Sequence, residues 1–204
     1  MDLILFLIIL IFSVVIHEVS HGVVAEKFGD PTARLAGRLT LNPIPHIDLF
    51  GSVLLPVIMY LSFGFVFGAA KPVPVNYLNL RNPKRDMALV ALAGPISNFI
   101  LGLGCAVPLK FNLISLQSPG GEFLLQVVLL NFILAIFNII PIPPLDGSKI
   151  LASLLSDRLL PGFLAVERYG FLLILLFLFL GLFEIILFPI LNALLQIFVG
   201  TSFF

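Results

Sequence analysis

Residues 2–25 read DLILFLIILIFSVVIHEVSHGVVA, an apolar run of membrane-crossing length that carries one polar signature, His17-Glu18-Val19-Ser20-His21, towards its end. About 20 apolar residues suffice for a helix to cross a bilayer. The run lacks a basic start and a small-residue cleavage site, so it reads as a retained span and not as a secretory leader. The rest of the chain shares this character. Of 204 residues, 60% are apolar and only 11% charged, and mean hydropathy is +1.17, where soluble domains have roughly 45–50% and about 25%. The 11 basic and 11 acidic side chains balance, leaving no electrostatic footprint for nucleic acid. A single cysteine, Cys105, excludes an internal disulfide and a cysteine-based zinc site, so a metal must rest on His and carboxylate ligands.

Outward from the first span, Glu26, Lys27 and the turn signal Gly29-Asp30-Pro31 end the helix. Residues 32–49 are interrupted by Arg34, Arg38, Pro43, Pro45 and His46, and 35–41 reads as a short strand. Residues 71–76, Lys-Pro-Val-Pro-Val-Asn, read as extended, because a residue that precedes proline is pushed away from the helical region. Spans are expected at 87–109 and 123–140, a short interfacial helix at 148–155, and further spans at 162–182 and 185–199. The apolar run 50–70 is broken by Pro56, Gly64 and Gly68. A crossing there would put Lys27, Arg34 and Arg38 on the opposite side from Lys71, Arg81, Lys84 and Arg85, against the positive-inside rule. The expected fold is therefore an all-α polytopic membrane protein, 1–204 forming one domain. It has five to six transmembrane helices, a small membrane-associated β-hairpin or sheet, and a re-entrant segment at 50–70 (six spans if that segment crosses). In the five-span form the N-terminus lies outside, the C-terminus inside, and only Lys110 of the basic residues falls outside.

The chemistry concentrates in few residues. In H-E-x-x-H the two imidazoles lie one helical turn apart on one face and can reach one zinc ion, with Glu18 beside the metal to take a proton from its water. Catalytic zinc takes three protein ligands, so another must come from elsewhere. Asp146 and Glu184 are the remaining carboxylates at membrane depth; Asp48, Asp86 and Glu122 lie in loops. Asp146 is the better candidate, because Pro141, Pro143 and Pro144 take the chain out of helical geometry there and Gly147 permits close approach. Its alternative role is to cap the helix that follows. Glu184 sits at a short turn, where it can simply be solvated. His46, on a loop, reads as a surface residue rather than as a fourth ligand or proton carrier.

The H-E-x-x-H in the first span, Gly94-Pro95-x-x-Asn98 in a middle one and the stretch from Asn138-x-x-Pro141 to Asp146-Gly147 resemble the site-2 proteases, intramembrane zinc metalloproteases. The likeness covers nearly the whole chain and is closest to short members without PDZ or CBS domains. It extends to the stretch from Gly37 to Asp48, although Leu49 stands where many members have proline. The resemblance implies one zinc ion per chain on His17, His21 and Asp146, Glu18 as general base, and Asn138 as a group holding the scissile carbonyl or the tetrahedral intermediate. Gly94 and Asn98 read as structural support for the site, spaced for close helix packing with a polar contact.

The functional expectation is hydrolysis of peptide bonds within or next to transmembrane segments of membrane proteins, in regulated proteolysis or in clearance of membrane-embedded peptides. The partners are those segments, the lipid bilayer and a substrate-presenting or oligomeric partner, and the active site lies towards the cytoplasmic side of the cell or inner membrane. A strand edge at 34–41 or 72–76 is expected to receive the unwound substrate. The rival readings are a non-proteolytic zinc-binding membrane carrier and a scaffold. A carrier calls for a relay of ionisable groups through several spans, whereas here they are confined to one motif and one Asp, and a scaffold has no use for Glu18.

Overall fold

With no water in the bilayer core, an apolar run must close its backbone hydrogen bonds on itself. The computed structural model describes residues 3–48, 51, 54, 58, 61, 70–156 and 158–201. Among them it forms helices α1 (Leu3–Lys27), α2 (Thr32–Leu35), α3 (Pro83–Lys110), α4 (Pro119–Ile139), α5 (Asp146–Leu154), α6 (Leu160–Glu167), α7 (Gly170–Phe179) and α8 (Leu182–Phe198). Three of these, α1, α3 and α4, are long and apolar enough to cross a membrane. The ends of the middle two are written locally. Pro83 and Pro119 occupy first-turn positions where the missing N–H costs nothing, and the Ser118 hydroxyl accepts from the Gly121 N–H at 3.1 Å.

Helix α3 is central and packs against both α1 and α4. Ala106, Leu109, Val128, Phe132, Leu191 and Leu195 join α3, α4 and α8 in one buried cluster, inside which Phe99 stacks on Phe132 with centroids 5.5 Å apart. A second cluster, centred on Ile9, Val127 and Leu130, joins α1 to α4. The Arg81 N–H donates to the Phe28 carbonyl at 3.1 Å, so the chain enters α3 at the same end of the bundle where it left α1.

Two expectations are corrected. There is no strand among the described residues, so the β-hairpin is absent. In 35–41 the chain turns instead of extending: Gly37, at φ +66°, donates to the Arg34 carbonyl, and Arg38 N to the Ala33 carbonyl. In 72–76, Pro72 and Pro74 have no N–H for a ladder, and the N–H groups of Val73 and Asn76 go to the side chains of Glu18 and Asp30. The count of five to six spans also fails. The run 162–182 is divided by a 72° bend between α6 and α7, and α8 has only 17 residues, which leaves three spans among the described residues, or four if the bent pair is one. The bend brings Gly170 against the Pro143–Pro144 backbone, where a Cβ would meet atoms at 2.8–2.9 Å. Helix α8 then runs towards the far end of α3, with Gly200 beside the Lys110 side chain. The chain's last described residues therefore sit with Lys110, at the end opposite to the one expected. The re-entrant segment expected at 50–70 lies largely outside the described residues.

Candidate metal centre

The i, i+4 spacing on α1 brings the imidazoles of His17 and His21 edge to face, with ring centroids 4.7 Å apart. Helix α3 can press its backbone against both rings only because residue 94 is glycine; a Cβ there would lie 2.5 Å from His17 Nε2 and from His21 Nε2. The third group arrives from the break after α4. Gly147 passes so close to the Ile139 and Ile140 carbonyls that a Cβ would stand 2.1 and 2.4 Å from them, and this close passage sets Asp146 at the first turn of α5. Leu145, not Asp146, occupies the cap position, and no side chain caps it. The Asp146 carboxylate turns into the bundle instead, with Oδ2 3.0 Å from His17 Nε2 and 3.1 Å from His21 Nε2. All three residues are buried.

Hydrogen bonding shows what these atoms can accept. His21 Nδ1 lies 2.7 Å from the Val90 carbonyl, which can only accept, so the proton is on Nδ1. His17 Nδ1 lies 2.6 Å from Asn98 Oδ1, an oxygen by assignment because the same amide's nitrogen donates to the Ser13 carbonyl at 3.1 Å. His17 therefore also carries its proton on Nδ1. In the neutral rings both Nε2 atoms present lone pairs to a carboxylate oxygen. Two imidazole nitrogens and a carboxylate oxygen, all buried and within 4.8 Å of one another, form an arrangement that a cation satisfies. The spacing suits zinc: bonds of roughly 2.0–2.1 Å in tetrahedral geometry separate ligand atoms by about 3.3 Å. The outer oxygen, Asp146 Oδ1, faces Lys149 Nζ at 3.4 Å.

Around the cluster is a cavity of about 510 Å³ that Glu18, Asn138 and Lys149 also line. Glu18 Oε2 accepts from the Val73 N–H at 2.7 Å. One Asn138 N–H is used on its own helix, donating to the Leu134 carbonyl at 2.9 Å. Of the other carboxylates considered, Glu184 is exposed, Asp86 caps α3 by accepting from Asn82 N, and neither joins the cluster. His46 is buried rather than at the surface, and it is no part of the cluster. Its Nε2–H donates to the Thr40 carbonyl, and its own carbonyl accepts from Lys71 N.

The wall at 70–76 is pinned at both ends by residues the sequence did not single out. Arg38 donates to the Lys71 carbonyl at 2.7 Å. At the other end Asp30, wholly buried, accepts from Asn76 N, Asn79 Nδ2, and the backbone and hydroxyl of Thr32. Burial opposes its ionised form, but these hydrogen bonds hold its carboxyl below the ordinary carboxylate value. Asn131 and Ser13, also missed, lie behind Asn98; a second asparagine inside the apolar run 123–140, besides Asn138, was the available signal.

Comparison with known proteins agrees with this geometry. The sequence profile of Peptidase family M50, the site-2 proteases, matches residues 5–114 and 115–181. "Putative zinc metalloprotease YwhC" of Bacillus subtilis (strain 168) is 38% identical over 198 residues, covering 91% of this chain and 85% of that protein. "Putative zinc metalloprotease Rip2" of Mycolicibacterium smegmatis is 30% identical over 80% of this chain and 62% of its own length. "Zinc metalloprotease MJ0392" of Methanocaldococcus jannaschii is 28% identical over 74% of this chain and 34% of its own length. The chain thus spans less than two thirds of the latter two. No solved structure matches it. The relatives imply zinc and a protease function, and the apolar helices are those of a multi-pass membrane protein. A profile that matches from the first helix through the bent pair, together with 38% identity over nine tenths of the sequence, makes this chain a member of Peptidase family M50.

Proposed function

We propose that the chain is an intramembrane endopeptidase that binds one zinc ion on His17, His21 and Asp146 and hydrolyses peptide bonds within or next to transmembrane segments of membrane proteins. The observation that carries this reading is the convergence of three buried ligand atoms of metal-binding type, within 4.8 Å of one another, beside a carboxylate on a cavity set between membrane-length helices. Zinc, when bound, polarises the scissile carbonyl and acidifies a water molecule. Glu18, next to the ligands on α1 and lining the same cavity, takes the proton of the attacking water and returns it to the leaving amine. Val73 N–H holds one Glu18 oxygen, which orients the carboxylate and leaves the other for the proton. The Asn138 amide has a second N–H beyond the one given to Leu134, and it serves the developing oxyanion. Lys149 Nζ, 3.4 Å from the outer oxygen of Asp146, would hold that carboxylate in place by charge.

A substrate helix hides its carbonyls in its own hydrogen bonds, so it enters the cavity locally unwound. His17 stands about 15 Å from the Lys27 end of α1 at 1.5 Å per residue. That end carries Lys27, Arg34 and Arg38, which supports a site towards the cytoplasmic side. Substrate selection rests on the helices around the cavity or on a presenting partner.

The test is cleavage of a panel of single-span reporters by the wild-type chain and by Glu18→Gln, with zinc content measured in both. The expected result is cleavage by the first alone, with zinc retained in both. Equal cleavage by both removes Glu18 from the mechanism. Absence of cleavage with zinc bound would favour the carrier or scaffold readings.

A further inference from the structure

Behind His17 a buried polar network crosses all three membrane-length helices. Ser13 on α1, Asn98 on α3 and Asn131 on α4 are at most 1% exposed. Asn131 Nδ2 donates to the Val127 carbonyl and to Ser13 Oγ, both at 2.9 Å. Asn98 Nδ2 donates to Asn131 Oδ1 at 2.8 Å and to the Ser13 carbonyl at 3.1 Å. Asn98 Oδ1 then faces His17 Nδ1 at 2.6 Å.

A backbone carbonyl can only accept, so Val127 fixes which end of the Asn131 amide is nitrogen. The Asn131 oxygen must then face Asn98, whose nitrogen is drawn to it and to Ser13, and the Asn98 oxygen is left for His17. Turning either amide over would set like poles against each other at more than one contact, in a low-dielectric interior where unpaired polar groups are costly. Polarity is therefore passed from helix α4 to an imidazole on α1. Two asparagines in the apolar middle of a membrane bundle are expensive, and leucine would fill the same space; they are explained by what they orient.

We propose that Asn131 is a positioning residue for the metal centre, acting through Asn98 to hold His17 in the tautomer whose Nε2 faces the metal. This rests on the ligand set proposed above. It is tested by zinc affinity, measured by chelator competition on the full chain in detergent, for wild type, Asn131→Leu, Asn98→Leu, the double variant and Asn131→Asp. Loss of a hydrogen-bonding partner behind a metal-bound histidine typically weakens affinity roughly 10- to 100-fold. Asn131→Leu is expected to fall in that range, and the double variant to bind no more weakly than Asn98→Leu alone. Asn131→Asp, whose neutral carboxyl still offers an acceptor to Asn98, is expected to recover most of the loss. Wild-type affinity in Asn131→Leu, a double loss equal to the product of the single ones, or no recovery in Asn131→Asp would each overturn the proposal. Should Asn131→Leu fail to fold, ¹⁵N NMR of the His17 ring in the metal-free wild-type chain decides instead. A proton on Nδ1 supports the relay, and a proton on Nε2 or a tautomer mixture overturns it. Failure of the wild-type chain to bind zinc would overturn the ligand set as well, whereas zinc binding that ignores Asn131 overturns this inference alone.

Discussion

Gly94→Ala would place a methyl carbon 2.5 Å from His17 Cε1, His17 Nε2 and His21 Nε2, where ordinary contact begins at 3.4 Å. The two rings, or the α3 backbone, must therefore give by about 0.9 Å. The rings have little freedom to do so, since each is anchored through Nδ1, at 2.6 Å to Asn98 and 2.7 Å to the Val90 carbonyl. Metal–ligand distances tolerate deviations of only about ±0.2 Å. The displacement exceeds this several-fold, so zinc affinity should fall by at least the roughly 100-fold upper range seen for lost supporting hydrogen bonds. Overpacking should also cost the metal-free fold about 1–3 kcal/mol. Zinc competition and thermal unfolding of the metal-free chain read the two effects separately. Gly104→Ala on the same helix is the control, because nothing lies within 4 Å of its added carbon, and it should keep wild-type affinity. Zinc bound by Gly94→Ala as tightly as by wild type would refute the reasoning.

Asp146→Asn keeps the side chain's shape but removes the charge that offsets the metal, and should abolish zinc retention in dialysis where Glu18→Gln does not. Gly147→Ala would set a carbon 2.1 Å from the backbone oxygen of Ile139, which cannot swing aside, so Asp146 should be displaced and zinc lost. Asp30→Asn can keep an oxygen for Asn79 and Thr32 only by setting its NH2 against the Asn76 N–H, and should destabilise the chain by about 1–3 kcal/mol at neutral pH. Since folding lowers the Asp30 pKa, the wild-type advantage should be complete above the ordinary carboxylate value of about 3.9 and shrink as pH falls below it; an advantage that does not change with acid would contradict this.

Hydropathy and spacing were enough to place the helices that position the site. The runs at 2–25, 87–109 and 123–140 are bounded by charges, prolines and glycines, and the structure extends each only slightly. The i, i+4 pair on α1 and the proline break before Asp146 were also readable, because both are local. The bend between α6 and α7 was not. Residues 160–199 are almost continuously apolar, and the bend depends on Gly170 meeting a backbone from another part of the chain. The expected strands failed for a reason present in the sequence: Gly37 supplies a left-handed turn, and Pro72 and Pro74 lack donors. Asp30 reads only as a turn residue, and nothing local marks Asn131, since the partners that give them their roles, Asn76 and Asn79 for the first and Ser13 and Asn98 for the second, lie 33 to 118 residues away and only the fold brings them together.

The central claim is hydrolysis of a peptide bond inside the membrane by the centre on α1 and α5. It is tested most directly by reconstituting the zinc-loaded chain with a single-span substrate in lipid vesicles made up in ¹⁸O-water, and mass-mapping the products. The expected result is a cut within or at the edge of the transmembrane segment, with one heavy oxygen in the new carboxylate and no product from Glu18→Gln vesicles. Intact substrate across the reporter panel, or cuts confined to soluble flanks and equally present with Glu18→Gln, would contradict it.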